Sequence, residues 1–190
     1  AVVVNSNDPK LYFELDQLYE AGRAPVAKRL DLLEKNHKVV SLRDDSLARE
    51  ILLLVQSGKY DRAIKLLSSH HFHVWEGGGE IYSVFVDAHL LRGQRNLDAG
   101  DYRPALKDFE TALTYPANLE VAEPSSGGGS AKVYYLVGRA EEAMGEKVGA
   151  KAAYEKATAF RHGWSELSFY QARAYPVSYT HLRAHETVLD

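Results

Sequence analysis

Apolar residues recur along this chain at helical rather than strand spacing. Leu11, Leu15 and Leu18 share one face of a predicted helix over about 9–21, and Leu30 and Leu33 share a face of a second, opened by Pro25. Asp44, read as an N-cap, precedes Leu47, Ile51 and Leu54 in a helix that runs toward Gly58, while Ala63 and Leu67 mark the inner face of a helix over about 60–69. A longer helix, about 80–99, carries Val84, Ala88, Leu91 and Gly93; Asp101 is the expected cap of its partner, Pro104 falls within the first turn, and Pro116 stops it. Two more helices are predicted over about 131–144 and 147–159. A last one, from about Ser165, carries Phe169 and Ala172 on the face that closes the open end.

The second helix of each pair repeats a spacing. Gly58, Gly100 and Gly145 are each followed five residues later by Ala63, Ala105 or Ala150, and four residues further on by Leu67, Phe109 or Tyr154. One small and one large side chain thus share a helix face, which lets neighbouring helices approach and interlock. Gly22 marks a degenerate first copy, because Asp31 stands where the bulky residue belongs. The intervals between these glycines exceed the roughly 34 residues of an uninterrupted array. The excess is assigned to two inserts, 70–79 and 118–130, which both join one hairpin to the next and so emerge on the same edge of the stack. The second contains Pro124-Ser125-Ser126-Gly127-Gly128-Gly129-Ser130, the composition of a flexible linker.

Composition narrows the function without naming it. The chain has 190 residues, 45% of them apolar and 11% aromatic, which is ample for a core. A net charge of −3 with basic and acidic residues interspersed offers no footprint for nucleic acid. No apolar run is long enough to span a bilayer, so neither nucleic acid nor membrane is expected as a partner. The absence of cysteine removes disulfides and thiolate chemistry, and fits a reducing cytoplasm, slightly favoured, or a bacterial periplasm.

Candidate chemistry is sparse. In His70-His71-Phe72-His73-Val74-Trp75-Glu76 the imidazoles of His71 and His73 with Glu76 offer three ligands of a type zinc accepts, yet the spacing does not define a site. The competing reading has Phe72, Val74 and Trp75 plugging the junction between hairpins while the histidines face water. Gly77-Gly78-Gly79 before a helix lacks the following Lys-Ser or Lys-Thr of a phosphate loop, and Glu80 would repel a phosphate. Neither a G-x-S-x-G elbow nor an H-E-x-x-H helix occurs. No metal, no cofactor and no enzymatic activity are therefore expected.

Tyr134-x2-Val137-Gly138, Gly145 and Ala150-x3-Tyr154-x2-Ala157, with Gly100, Tyr102, Ala105, Phe109 and Ala112, resemble the tetratricopeptide repeat. At the position of that repeat's usual tyrosine the chain has Leu18, Leu54, Asn96 and Glu141, and Ile51 replaces the small residue of the first helix. The resemblance implies an all-α fold: a right-handed α-solenoid of about four tetratricopeptide-like helical hairpins plus one terminal helix. The repeat domain is set at 8–175, with hairpins at about 8–37, 43–70, 79–116 and 130–160 and the terminal helix at 164–175.

Asp16-Gln17-Leu18-Tyr19, Phe72-His73-Val74-Trp75-Glu76-Gly77-Gly78 and Tyr115-Pro116-Ala117-Asn118-Leu119 further resemble an uncharacterised bacterial family in which such repeats follow a β-sandwich similar to sugar mutarotases. On that likeness residues 1–7 extend from a missing upstream region. The run Ser178-Tyr179-Thr180-His181-Leu182-Arg183-Ala184-His185-Glu186-Thr187 resembles a translated sequencing-adapter artefact of metagenome assemblies, so 176–190 is expected to be a non-native tail and the natural chain to continue past Tyr175.

In tetratricopeptide repeats the first helix of each pair lines a concave groove. Carried onto this chain, that implies Tyr12 and Asp16, Ala48 and Leu52, Leu90 and Gln94, Tyr135 and Arg139, and Phe169 and Arg173. The arginines suit a carboxylate and the rings suit apolar side chains of an extended peptide. The groove lacks the Lys and Asn set that clamps chaperone C-termini. His71, His73, Trp75 and Glu76 form the expected loop rim. The leading expectation is a non-catalytic scaffold binding a protein, a peptide or another domain of its own chain. The alternative is an accessory segment of a glycan-acting protein, with Trp75 and Tyr115 stacking on sugar.

Overall fold

The computed structural model describes residues 5–73, 79–121, 130–159, 170, 173 and 174, and among these all regular structure is helical. In chain order the helices are α1 (Pro9–Ala21), α2 (Val26–Lys35), α3 (His37–Val40), α4 (Asp44–Gln56), α5 (Tyr60–Ser69), α6 (Gly79–Ala99), α7 (Tyr102–Thr111), α8 (Ala131–Ala143) and α9 (Lys147–Ala159), with a 3-10 turn at Ala117–Leu119 before α8. The fold is all-α, as the apolar spacing dictates. The expected terminal helix lies largely outside the described residues, although Tyr170, Arg173 and Ala174 are helical.

Two compact units divide the chain. The first comprises Ala1–Ala88 and Tyr115–Ala122, the second His89–Thr114 and Glu123–Asp190, so α6 lends its first half to one and its second half to the other. In the first unit the core gathers around α4, which packs on α1, α2, α3 and α5. Leu47, Ile51 and Leu54 are buried as the periodicity predicts, but so are Ser46, Glu50 and Leu53. A helix enclosed on several sides cannot keep a single apolar stripe, and its polar residues must find partners inside.

In the second unit the small and large residues read from the sequence interlock, through a pairing between helices that the spacing did not specify. A Cβ placed on Gly93 of α6 would lie 2.6 Å from Phe109 Cε1 on α7, and one on Gly138 of α8 would lie 2.7 Å from Tyr154 Cε1 on α9. Each glycine is thus the gap that receives the bulky ring of its partner helix, with Ala105 and Ala150 fully buried beside it. In the α4–α5 hairpin the sizes are exchanged: Ile51 takes the glycine position and Leu67 the aromatic one, both buried. Volume is conserved where the motif is not.

The turns follow the same logic with one departure. Gly58, Gly100 and Gly145 have φ of 72°, 86° and 78°, the left-handed conformation that ends a helix, whereas in the first hairpin that conformation falls on Arg23 (φ 55°) and not on Gly22. Of two capping expectations, Asp101 holds its place as the N-cap of α7, and Asp44 is corrected, since the N-cap of α4 is Arg43. Asp44 is the first residue of α4 and Asp101 sits at the cap of α7, but neither caps its helix through a side-chain hydrogen bond; Asp8 and Ser130 do, toward Lys10 N–H and Val133 N–H. Pro104 is accommodated in the first turn of α7, where its missing N–H would have had no partner.

Candidate functional site

The groove residues separate by environment. Tyr12 and Asp16, expected on an open lining, are 1% and 0% exposed, which removes them from any solvent-facing surface. The Tyr12 hydroxyl lies 3.0 Å from both the Ser6 carbonyl and Asn36 Oδ1. Asp16 accepts two hydrogen bonds from Arg29, at 2.8 and 2.9 Å, and one from Arg49 Nε at 2.6 Å; Glu20 closes the network at 3.0 Å from Arg29 and 2.7 Å from Arg49. Two acids and two guanidinium groups balance in charge and tie α1 to α2 and α4. The Arg49 hydrogen bond, opposed by burial and aided by both cations, holds the Glu20 carboxyl below its ordinary value. The bond to Asp16 leads the causes that raise Arg29. Where Asp31 leaves the first hairpin without its bulky knob, this network joins the two helices instead.

Leu52, half-buried, belongs to the first unit. The second unit brings together part of the expected set. Tyr135 is buried, its ring centroid 5.9 Å from that of Tyr154 and 5.6 Å from that of Tyr170. Arg173 Nε donates to the Tyr135 hydroxyl at 3.1 Å, with the guanidinium 5.7 Å from the ring centroid. Arg139, one turn beyond Tyr135 on α8, and Gln94 on α6 are exposed, as is Arg173. Phe169 lies outside the described residues. Burial and a 2.8 Å hydrogen bond to Glu142 push the Tyr154 phenol up, so it stays neutral.

At the loop rim both inserts meet in the first unit. Phe72, 0% exposed, donates its N–H to the Asn118 carbonyl at 2.7 Å, while Asn118 Nδ2 donates to the carbonyls of Leu67 and His70 at 2.8 and 2.7 Å. Phe72 is the plug that the sequence suggests; Val74, Trp75 and Glu76 lie outside the described residues. The histidines do more than face water. His70 Nε2 lies 2.7 Å from Asp44 Oδ1, the His73 N–H and Nδ1 reach Asp44 Oδ2 at 2.9 and 3.1 Å, and His71 Nε2 lies 2.8 Å from Glu120 Oε1. Burial alone would raise the Asp44 carboxyl, but these hydrogen bonds from His70 and His73 hold it below its ordinary value.

A cavity of about 490 Å³ lies here, lined by Leu42, Arg43, Asp44, Asp45, His70, His71 and His73. Among the described residues no three His, Asp or Glu side chains are placed to hold a metal ion. Tyr115, proposed as a sugar platform, already stacks on Tyr82 with centroids 4.7 Å apart.

Sequence reasoning missed a second polar node. Asp108 of α7, 3% exposed, accepts from Arg92 at 2.6 and 2.9 Å, faces His89 Nδ1 at 3.0 Å and meets Asn96 Nδ2 at 3.4 Å. Burial opposes ionisation, but the bonds to His89 and Arg92 prevail and the carboxyl is lowered. Asn96 occupies the position where the repeat usually has tyrosine, and that substitution is the one trace of the node in the sequence. At the equivalent position of the last hairpin Glu141 packs on Gly149, and burial, with Glu146 and Glu110, pushes its carboxyl up.

No family model matches the sequence. Among solved structures, a chain described as MamA 41-end from Desulfovibrio magneticus RS-1 is similar over 96% of this chain and 97% of that one, with 17% identity and a TM-score of 0.48. A likeness of that degree assigns neither a family nor a partner.

Proposed function

We propose that the chain is a non-catalytic protein-interaction scaffold, and that the α8 face of its second unit receives an extended acidic segment of a protein partner. The supporting observation is the arrangement around Tyr135: an aromatic cluster locked by the Gly138–Tyr154 contact, with Arg173 fixed on the ring and Arg139 exposed one turn away. Guanidinium groups set over a buried, rigid aromatic cluster suit a carboxylate-bearing peptide, because the support beneath them does not have to be ordered on binding. Gln94, exposed on α6 of the same unit, adds an amide able to bond peptide backbone. The half-buried Leu52 and, separately, the rim residues His71 and His73 are further candidate contacts on the first unit.

Synthetic peptides of one length and acidic, neutral or basic composition, titrated by fluorescence anisotropy, test the reading. Acidic peptides are expected to bind most tightly, with Arg139→Ala and Arg173→Ala each weakening them about fivefold to tenfold. Equal affinity across the three compositions, or unchanged affinity in both variants, would discard it.

A further inference from the structure

A separate cavity of about 350 Å³ opens in the first unit, lined by His37 of α3, Glu50 of α4 and Arg62, Lys65 and Leu66 of α5. Its chemistry is set by Glu50, which is 0% exposed. Oε2 of that carboxyl lies 2.8 Å from His37 Nδ1, while Oε1 is equally buried and has no hydrogen-bond partner among the described residues. Proteins rarely leave a buried acceptor unmatched, since it has lost its hydration and gained nothing in return. His37 fixes the orientation of the carboxyl, and so acts as a positioning residue.

The same cavity carries two cations. Arg62 engages Glu34 through Nη1, and Lys65 is exposed, with no hydrogen bond or ion pair to its ammonium among the described residues. Leu66 supplies aliphatic surface. A ligand matching all of these needs a cationic N–H donor for Glu50, an anionic group for Lys65 and the outer guanidinium nitrogens of Arg62, and a modest apolar portion. A lone amine leaves the cations unmatched, and a lone carboxylate leaves Glu50 unmatched. We propose that this cavity binds a free α-amino acid, with its ammonium on Glu50, its carboxylate toward Lys65 and Arg62, and its side chain along Leu66. The volume lies in the range of small-molecule sites. The assignment is independent of the peptide-binding reading, because it uses other residues.

The test is a titration of the protein with L-leucine, L-leucinamide, which lacks the carboxylate, and N-acetyl-L-leucine, which lacks the ammonium. Backbone amide shifts and melting temperature are the readouts. L-leucine is expected to bind with a dissociation constant of about 1 mM or tighter, to shift the amides of Glu50, Lys65 and Leu66, and to raise the melting temperature. Each derivative is expected to bind at least about tenfold more weakly, as are Glu50→Gln and Lys65→Ala. Lys65 is exposed, so its variant stays informative even where Glu50→Gln lowers stability. A derivative binding as well as L-leucine, an unaltered titration in Lys65→Ala, or no response at about 100 mM L-leucine would overturn the proposal.

Discussion

A ring fitted against a glycine leaves no room for a methyl group. Gly138→Ala is therefore expected to destabilise the protein by about 1–3 kcal/mol in denaturant unfolding, since the methyl would stand inside contact distance of Tyr154. Tyr154→Leu in the same chain should recover much of the loss, by copying the Ile51 and Leu67 solution already present in the α4–α5 hairpin. Additive losses in the double variant would show that the ring and the gap are not coupled. The buried carboxylates make a different demand. Asp108 has a lowered pKa, so its contribution is present above the ordinary value of 3.8 and lost as pH falls through the lower folded value. Asp108→Asn is expected to cost about 3 kcal/mol at neutral pH, because the amide removes the buried negative charge and turns one of the two acceptor oxygens into a donor facing Arg92 or His89. Unfolding curves against pH should also flatten below about pH 4 in the variant. An equally steep acid limb would assign the pH dependence to other groups.

Helices alone do not settle where the inserts go. The rim is closed by a few bonds: Phe72 plugs the core, Asn118 bonds the backbone of Leu67 and His70, and Asp44 collects two histidines. Asp44 was an expected helix cap and became a loop anchor, because a carboxylate at the start of α4 faces histidine donors arriving from the far end of α5. Phe72→Ala should cost about 3–5 kcal/mol, the price of an emptied aromatic site, read from the shift of the denaturant midpoint. A change below about 1 kcal/mol would mean that the plug is dispensable.

Across the whole molecule, division into two units implies unequal stability along the chain. Repeat hairpins contact mainly their neighbours, so damage stays local. In hydrogen exchange, Gly138→Ala is expected to speed the amides of α7, α8 and α9 while those of α1 to α5 keep nearly their original rates. A uniform acceleration across both units would mean that they unfold as one.

Most helix positions, the hairpin turns and the small and large residues of the last two hairpins were legible in the sequence, because each depends on spacings within a few dozen residues; the short α3 and the fitting of Phe109 on Gly93 and Tyr154 on Gly138 were not. Tertiary structure decided which polar groups lie inside. Tyr12 and Asp16 looked like groove residues and are core, since Arg29 and Arg49 reach Asp16 from α2 and α4. Asn118 joins Leu67 across 51 residues of sequence, a pairing that no local pattern encodes. Periodicity states which face of a helix is apolar; only packing determines which buried charges find partners, because those partners come from other helices.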